Sequence, residues 1–311
     1  YPHTMEYIIN EDPSIFTERH EGKSYPFLAK EEIFSIVNEA LGYAISLDFE
    51  KKNLYARCII RVVDYPGRIV SEVKAIAPRF RIKSTFASLP YKDSDITFLG
   101  GGFTASAVSR KGRIGLICSA PDIILPDGRK GLKLELHMTE RESDKSFNTL
   151  LSYKNKFEYL HSSLMDEISG TITFGEDKTV CCAKEISGKH IWKQTSFTDR
   201  KEKPIAIIHG ASPLGPFSGV ALTYDDSFTI FNNKGYSIRK NVKWKEAEGG
   251  KVILSNGEDV EIKADVFSSI HEGRGPFRKP RTFRYAIFNG KARDTEIVNG
   301  YGYLEYPDAL S

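Results

Sequence analysis

The residues best suited to moving a proton are His161 and Glu305, and each sits in a strand-like run among aromatics. His161 follows Phe157 and Tyr159 at alternate positions, so the three share one strand face. His190, Trp192, Gln194 and Ser196 share a face of a second run, "HIWKQTSF". Aromatic bulk with hydrogen-bonding tips lines pockets for largely apolar ligands; the same faces would suit a half-buried surface strand. Glu305 alternates with Tyr301 and Tyr303. A carboxylate in an apolar lumen has a raised pKa and can act as a general acid or base; on a solvated edge strand it would do neither. The other histidines, His3, His20, His137, His209 and His271, complete no HExxH or HxH spacing, so nothing supports a metal site. No G-x-S-x-G elbow is present; Ser218 in Pro216-Phe217-Ser218-Gly219 comes nearest and lacks the first glycine. A pair of carboxylates for hydrolysis stays open, with no sequence feature to single one out.

Other conspicuous runs have plainer readings. Gly100-Gly101-Gly102 has strand-like text on both sides, so a bulge or sharp bend fits better than a phosphate loop. The basic stretch Gly273 to Arg281 could touch phosphate and also suits a long surface loop. Glycines beside aromatics, as in Gly170-Thr171 and Gly300-Tyr301-Gly302-Tyr303, suit barrel curvature or close approach to a ligand. Cys58, Cys118, Cys181 and Cys182 form no zinc spacing and read as small buried hydrophobes, which fits a reducing compartment.

These residues must be positioned by strands. "YAISLDFE" and "LYARCIIRVV" form a hairpin, and Leu132, Leu134, Leu136 and Met138 alternate onto one face. Strands then recur every 8–12 residues or so, the pattern of a sandwich or barrel. Asp127-Gly128, Asn256-Gly257 and Asn289-Gly290 read as hairpin turns. Residues 30–42 fit an amphipathic helix capped by Gly42 and fit a buried strand pair equally. The expected organisation is an irregular arm over 1–30, a β domain over 31–160 and a second over 161–311. The fold class is therefore all-β: two antiparallel barrel or sandwich domains with few short helices.

The chain of 311 residues can bury a large core unaided. Its net charge of +3 argues against nucleic acid or an anionic membrane as the main partner. No run of about 18 apolar residues suggests a membrane span, and no leader is visible, so a cytoplasmic location is expected. The chain does not begin with Met, and a trimmed N-terminus would hide a leader.

"FEYLHSSLMDEISGTITFGEDK" and "FNGKARDTEIVNGYGYLEY" resemble the two-domain lipocalin-like superfamily of carotenoid 1,2-hydratases, AttH-like proteins and decalin-forming Diels–Alderases. There a Tyr-rich strand precedes a "v-G-x-i-t" strand, here Tyr159 through Gly170-Thr171-Ile172-Thr173, and the chain ends in "G-x-G-y-x-E", here Gly300 to Glu305. The family's Trp-Tyr-Phe-Asp-like opening strand is missing. The resemblance implies β-barrel-like domains with a hydrophobic pocket and no organic cofactor. It implies a cofactor-free enzyme that cyclises, isomerises or hydrates an apolar polyene, polyketide or terpenoid. Tyr159, Trp192, Gln194 and Tyr303 would line the pocket, and His161 or Glu305 would handle protons. A lipid or terpenoid carrier with the same pocket is the alternative, and a carbohydrate-active β protein a third.

Overall fold

The computed structural model describes residues 6–10, 16, 28–52, 54–78, 84–85, 92–140, 146–153, 156–181, 186–196, 205–212, 215–222, 227–232, 235–272 and 281–307. Strands dominate them, and Phe16 is helical. The chain divides into two compact units at Phe197/Thr198.

The first unit holds β1 (Glu6–Asn10), β2 (Ala29–Asn38), β3 (Tyr43–Lys51), β4 (Tyr55–Asp64), β5 (Ile69–Pro78), β6 (Ser84–Thr85) and β7 (Ser94–Gly100). It continues with β8 (Phe103–Arg110), β9 (Arg113–Ile124), β10 (Lys130–Glu140), β11 (Ser146–Tyr153), β12 (Lys156–Phe174), β13 (Asp177–Cys181) and β14 (Ile186–Thr195). All pair antiparallel in the order β5-β4-β3-β2-β14-β12-β10-β9-β8-β7-β6; β11 and β13 also pair with β12, and β1 pairs with β11. The sheet curls until β5 touches β7 and β9, making a nearly closed barrel. At that closure Gly101 and Gly102 form the tight β7–β8 turn at φ +61° and +82°. A Cβ on Gly101 would stand 2.6 Å from that of Ala75, so the triple glycine is a sharp bend required by both backbone and space.

Strict alternation builds the barrel core. Leu132, Leu134, Leu136 and Met138 of β10 meet Phe34, Leu47, Phe49, Cys58, Phe98 and Cys118 inside. Each such side chain contributes roughly 2 kcal/mol on burial. Cys58 and Cys118 are free and buried, as small hydrophobes are; burial pushes the Cys118 thiol up to about 12. The side chains of Cys181 and Cys182 lie outside the described residues.

Residues 29–38 are a strand, not a helix. β2 is hydrogen-bonded on both sides, to β3 and β14, and buried on both faces, so its apolar residues need no helical spacing. Gly42, at φ +75°, turns the β2–β3 hairpin. The border expected at 160/161 falls inside β12, which crosses it without a break. Of the 1–30 arm, residues 6–10 form β1 against β11 and are not irregular; most of the rest lies outside the described residues.

The second unit is one antiparallel sheet of β15 (Ile205–Ser212), β16 (Gly215–Leu222), β17 (Ser227–Asn232), β18 (Gly235–Arg239), β19 (Lys243–Ala247), β20 (Lys251–Ser255), β21 (Val260–Glu272), β22 (Arg281–Ala292) and β23 (Thr295–Pro307). Their order is β18-β17-β16-β15-β23-β22-β21-β20-β19. Ile208, Phe228, Ile262, Ala286, Phe288 and Leu304 form its core. Asn256-Gly257 makes the expected turn: Asn256 Oδ1 accepts from three successive N–H groups, of Glu258, Asp259 and Val260. Asn289-Gly290 does not. It lies within β22 at a register shift, and the turn comes at Arg293-Asp294. A Cβ on Gly290 would fall 2.0 Å from the Glu261 carbonyl oxygen, so the glycine serves a bulge. The basic run 273–280 lies outside the described residues.

Candidate active site

β12 is 19 residues long and changes partners midway. Its first half lies between β11 and β14, its second between β10 and β13. Glu167, at φ +51°, and Gly170, at φ +127°, mark the handover. Residues directly opposite in antiparallel strands share a face, so the register sets out three rows across β11, β12, β14 and β2. The first is Leu150, Tyr159, Gln194 and Lys30; the second Asn148, His161, Trp192 and Glu32; the third Ser146, Ser163, His190 and Phe34. Glu140, last residue of β10, joins them from the next strand.

Five strands, β2, β10, β11, β12 and β14, thus bring together a buried polar relay. Glu140 Oε1 accepts from Ser163 Oγ at 2.6 Å and from His190 Nδ1 at 2.9 Å. It lies 3.5 Å from His161 Nε2. The opposite nitrogen of His190, Nε2, donates to Glu32 Oε1 at 3.1 Å. His161 Nδ1 meets Asn148 Oδ1 at 2.7 Å, and the Tyr159 hydroxyl donates to that same oxygen. A carbonyl oxygen only accepts, so Nδ1 of His161 carries the proton and Nε2 is its basic nitrogen. His190 stacks flat on Phe34, at 4.4 Å and 5°.

The two imidazoles are driven apart in acidity. Burial pushes His190 down, but the charges and hydrogen bonds of Glu140 and Glu32 outweigh it and raise the ring to about 10. Burial opposes the charge of Glu140 too, yet His190 and His161 hold it well below the usual carboxylate range. Burial dominates at His161, whose pKa is lowered despite Glu140. At neutral pH the relay is therefore carboxylate, imidazolium, carboxylate, with a neutral imidazole beside it. Glu32 Oε2 is buried and has no hydrogen-bond partner among the described residues. Such orphans are uncommon and call for an explanation.

An aromatic wall adjoins the relay. Trp192 stands edge-on to Tyr159 at 5.3 Å, between His161 and Glu32 in its row. Phe16 packs on both, at 4.9 Å from Tyr159 and 5.7 Å from Trp192. Gln194 is buried in the neighbouring row. Of the residues singled out in the sequence, Tyr159, His161, Trp192 and Gln194 share this one face. Tyr303 and Glu305 lie in the second unit, on β23. There they share a face with Tyr301, flanked by Phe283 and Tyr285 of β22, and Tyr303 packs on Phe283 at 5.4 Å and Tyr285 at 5.8 Å. Glu305 is 8% exposed, so it is not on a solvated edge.

Glu32, Glu140 and Asn148 escaped the sequence reading. Glu140 continues the apolar alternation of Leu132 to Met138, and a carboxylate on a core face is the signal that could have found it. Glu32 was legible only with residues 30–38 fixed as strand, and Asn148 lies in the polar run "TERESDKSFN", which shows no apolar alternation. Among the described residues, no group of three or more His, Cys, Asp or Glu could hold a metal ion, and no helix is long and apolar enough to cross a membrane.

No protein-family model matches the chain, nor does any curated protein sequence. Solved structures do match. An AttH protein of Nitrosomonas europaea superposes with a TM-score of 0.56 at 11% identity, over 92% of this chain and 93% of its own. CghA gives 0.55 at 11% identity over 93% and 91%. Kievitone hydratase of Nectria haematococca gives 0.52 at 9% identity over 91% and 90%. The chain has their lipocalin-like fold. At such identities the likeness speaks for fold alone, and the chemistry has to come from the residues above.

Proposed function

We propose that this protein is a cofactor-free enzyme that moves a proton on an apolar small molecule, of polyene, polyketide or terpenoid type, in a cyclisation, isomerisation or hydration. The observation that carries the reading is the buried relay with Glu32 Oε2 left over. Paired titratable groups whose environments separate their pKa values are the mark of acid–base sites. His161 Nε2 takes the proton, because neutral imidazole is its ground state. The imidazolium so formed gains from Glu140, 3.5 Å away. Glu32 Oε2 accepts a hydroxyl or enol hydrogen of the substrate. Glu32, His190 and Glu140 together hold one net negative charge, which favours positive charge developing nearby. Trp192 offers its ring face to the same charge. Kievitone hydratase, which has this fold, is by name a hydratase, and that supports hydration among these reactions.

His161 is fully buried, so substrate has to displace what covers it, and Phe16 is the side chain standing on the wall. Glu305, with Tyr303, is a second proton-handling candidate in its own unit.

The test begins with native mass spectrometry of the purified protein and organic extraction of whatever is bound. That compound is then incubated with the wild type, Glu32→Gln and His161→Gln. Conversion by the wild type, with loss in both variants but retained binding, is the expected result. Recovery of the compound unchanged from the wild type would make the protein a carrier. Full conversion by both variants would remove these residues from the mechanism.

A further inference from the structure

A cleft of about 310 Å³ opens in the first unit far from the relay. Phe174, on its wall, lies thirteen residues along β12 from His161, roughly 40 Å of extended strand. The cleft is built where several strands end: Leu41 and Tyr43 at the β2–β3 turn, Val62 and Asp64 at the end of β4, Leu125 to Arg129 in the β9–β10 turn, and Asp177 and Thr179 on β13. Its size falls at the lower end of small-ligand sites.

The chemistry of the lining is one-sided. Its floor is apolar, with Tyr43 edge-on to Phe174 at 5.1 Å. Three carboxylates, Asp64, Asp127 and Asp177, face one cation, Arg129. That cation is already committed. Its guanidinium pairs with Asp127 and with Asp177, at 2.6 Å each, donates to the Phe174 carbonyl at 3.2 Å and lies over the Phe174 ring at 5.8 Å. It ties the β9–β10 turn to the β12–β13 turn and has no donor set to offer an anion. Asp64 is different. Its Oδ1 caps the Gly67 N–H at 3.0 Å, and Oδ2 takes part in no hydrogen bond or ion pair among the described residues. An anionic ligand would meet net repulsion here. A cation with an apolar body meets a free carboxylate oxygen and an aromatic floor.

We propose that this cleft is a second small-molecule site, separate from the relay, and that it takes an organic ammonium with an apolar tail or ring. The charged nitrogen sits against Asp64 and the Tyr43 ring, and the apolar part lies on Val62, Leu125 and Phe174.

Titration calorimetry of the full chain at low salt tests this, with decyltrimethylammonium as the probe and decanoate as its opposite in charge. One saturable site for the ammonium is expected, with decanoate at least about tenfold weaker. Asp64→Asn keeps the Oδ1 acceptor for Gly67 and removes only the charge, so folding is retained; it weakens the ammonium about tenfold. Thr179→Lys, at an exposed position, places a second cation in the cleft and should weaken the ammonium about tenfold and narrow its lead over decanoate. His161→Gln should leave ammonium binding unchanged. Equal binding of both probes, indifference to Asp64→Asn and Thr179→Lys, or loss in His161→Gln would each overturn the assignment.

Discussion

Replacing Glu140 by Gln is the sharpest probe of the relay, because it alters charge and little else. The amide oxygen can still accept from Ser163 and from His190. What is lost is the carboxylate 2.9 Å from the His190 ring. At an effective dielectric near 20, that pair attracts by about 6 kcal/mol before desolvation is counted. Breaking a buried pair by removing one partner costs about 3–5 kcal/mol. Linkage gives a similar figure. His190 is raised to about 10, so removing its proton at pH 7 costs about 4 kcal/mol, and the variant can lose no more than that before the ring simply deprotonates. A raised histidine pKa means that the folded state holds the proton more tightly than the unfolded one. Its stabilisation is complete below about pH 6.5 and fades as pH rises through about 10. The wild type should therefore lose stability steadily between these limits. Glu140→Gln should start about 3–4 kcal/mol lower at pH 7 and show a much flatter alkaline limb. Trp192 is the reporter, since the only other tryptophan, Trp244, can be changed to Phe in both proteins. Urea unfolding followed by its fluorescence at pH 6.5, 8 and 9.5 gives the comparison. An unchanged alkaline slope, or a variant within about 1 kcal/mol of the wild type at pH 7, would show that Glu140 does not hold the proton on His190.

Burial lowers the His161 pKa, so its basic form persists below the ordinary histidine range. The acid limb of kcat/KM for the bound compound should then fall below pH 6.5, and a limb at or above 6.5 would assign the base elsewhere. Phe16→Ala removes ring contacts to Phe157, Tyr159 and Trp192. It should cost about 3 kcal/mol and shift Trp192 emission to the red; an unshifted spectrum would mean that Phe16 does not shield the indole. Gly170→Ala would drive a Cβ to 2.1 Å from the Glu135 carbonyl oxygen at φ +127°. A loss of about 3 kcal/mol or more in urea unfolding is expected, and a neutral result would refute the tight β10–β12 contact.

Period-two alternation made the β architecture legible, and it put Tyr159 with His161 on one strand face and Trp192 with Gln194 on another; that the two are one face follows only from the pairing of β12 with β14. It could not decide residues 30–42. A strand buried on both faces has no alternation to read, and "IFSIVNEAL" also satisfies a helical period. Turn chemistry was legible at Asp127-Gly128 and misleading at Asn289-Gly290, since a glycine that permits a tight turn equally permits a bulge. The relay was the least legible part. Its members come from β2, β10, β11, β12 and β14, more than 150 residues apart at the extremes, with Glu32 and His190 joined only by the pairing of β2 with β14. Nothing local in "KEEIF" says that its second glutamate will meet an imidazole.

The length of β12 explains why the relay forms where it does. A strand that ended near Ile168 could complete the β10 side of the barrel or the β14 side, but not both. By running on from Lys156 to Phe174 it does one with each half. The apolar face of β10 ends at Glu140, beside Met165, where β12 changes partners. A carboxylate at that point loses water on one side to the barrel core and gains the donors Ser163 and His190 on the other. Placed two residues earlier, at Met138, it would have stood in the core with no such donors among its cross-strand neighbours. The relay thus occupies the seam where one strand passes from barrel wall to polar face, and the positive-φ backbone at Glu167 and Gly170 is the local conformation that this passage requires.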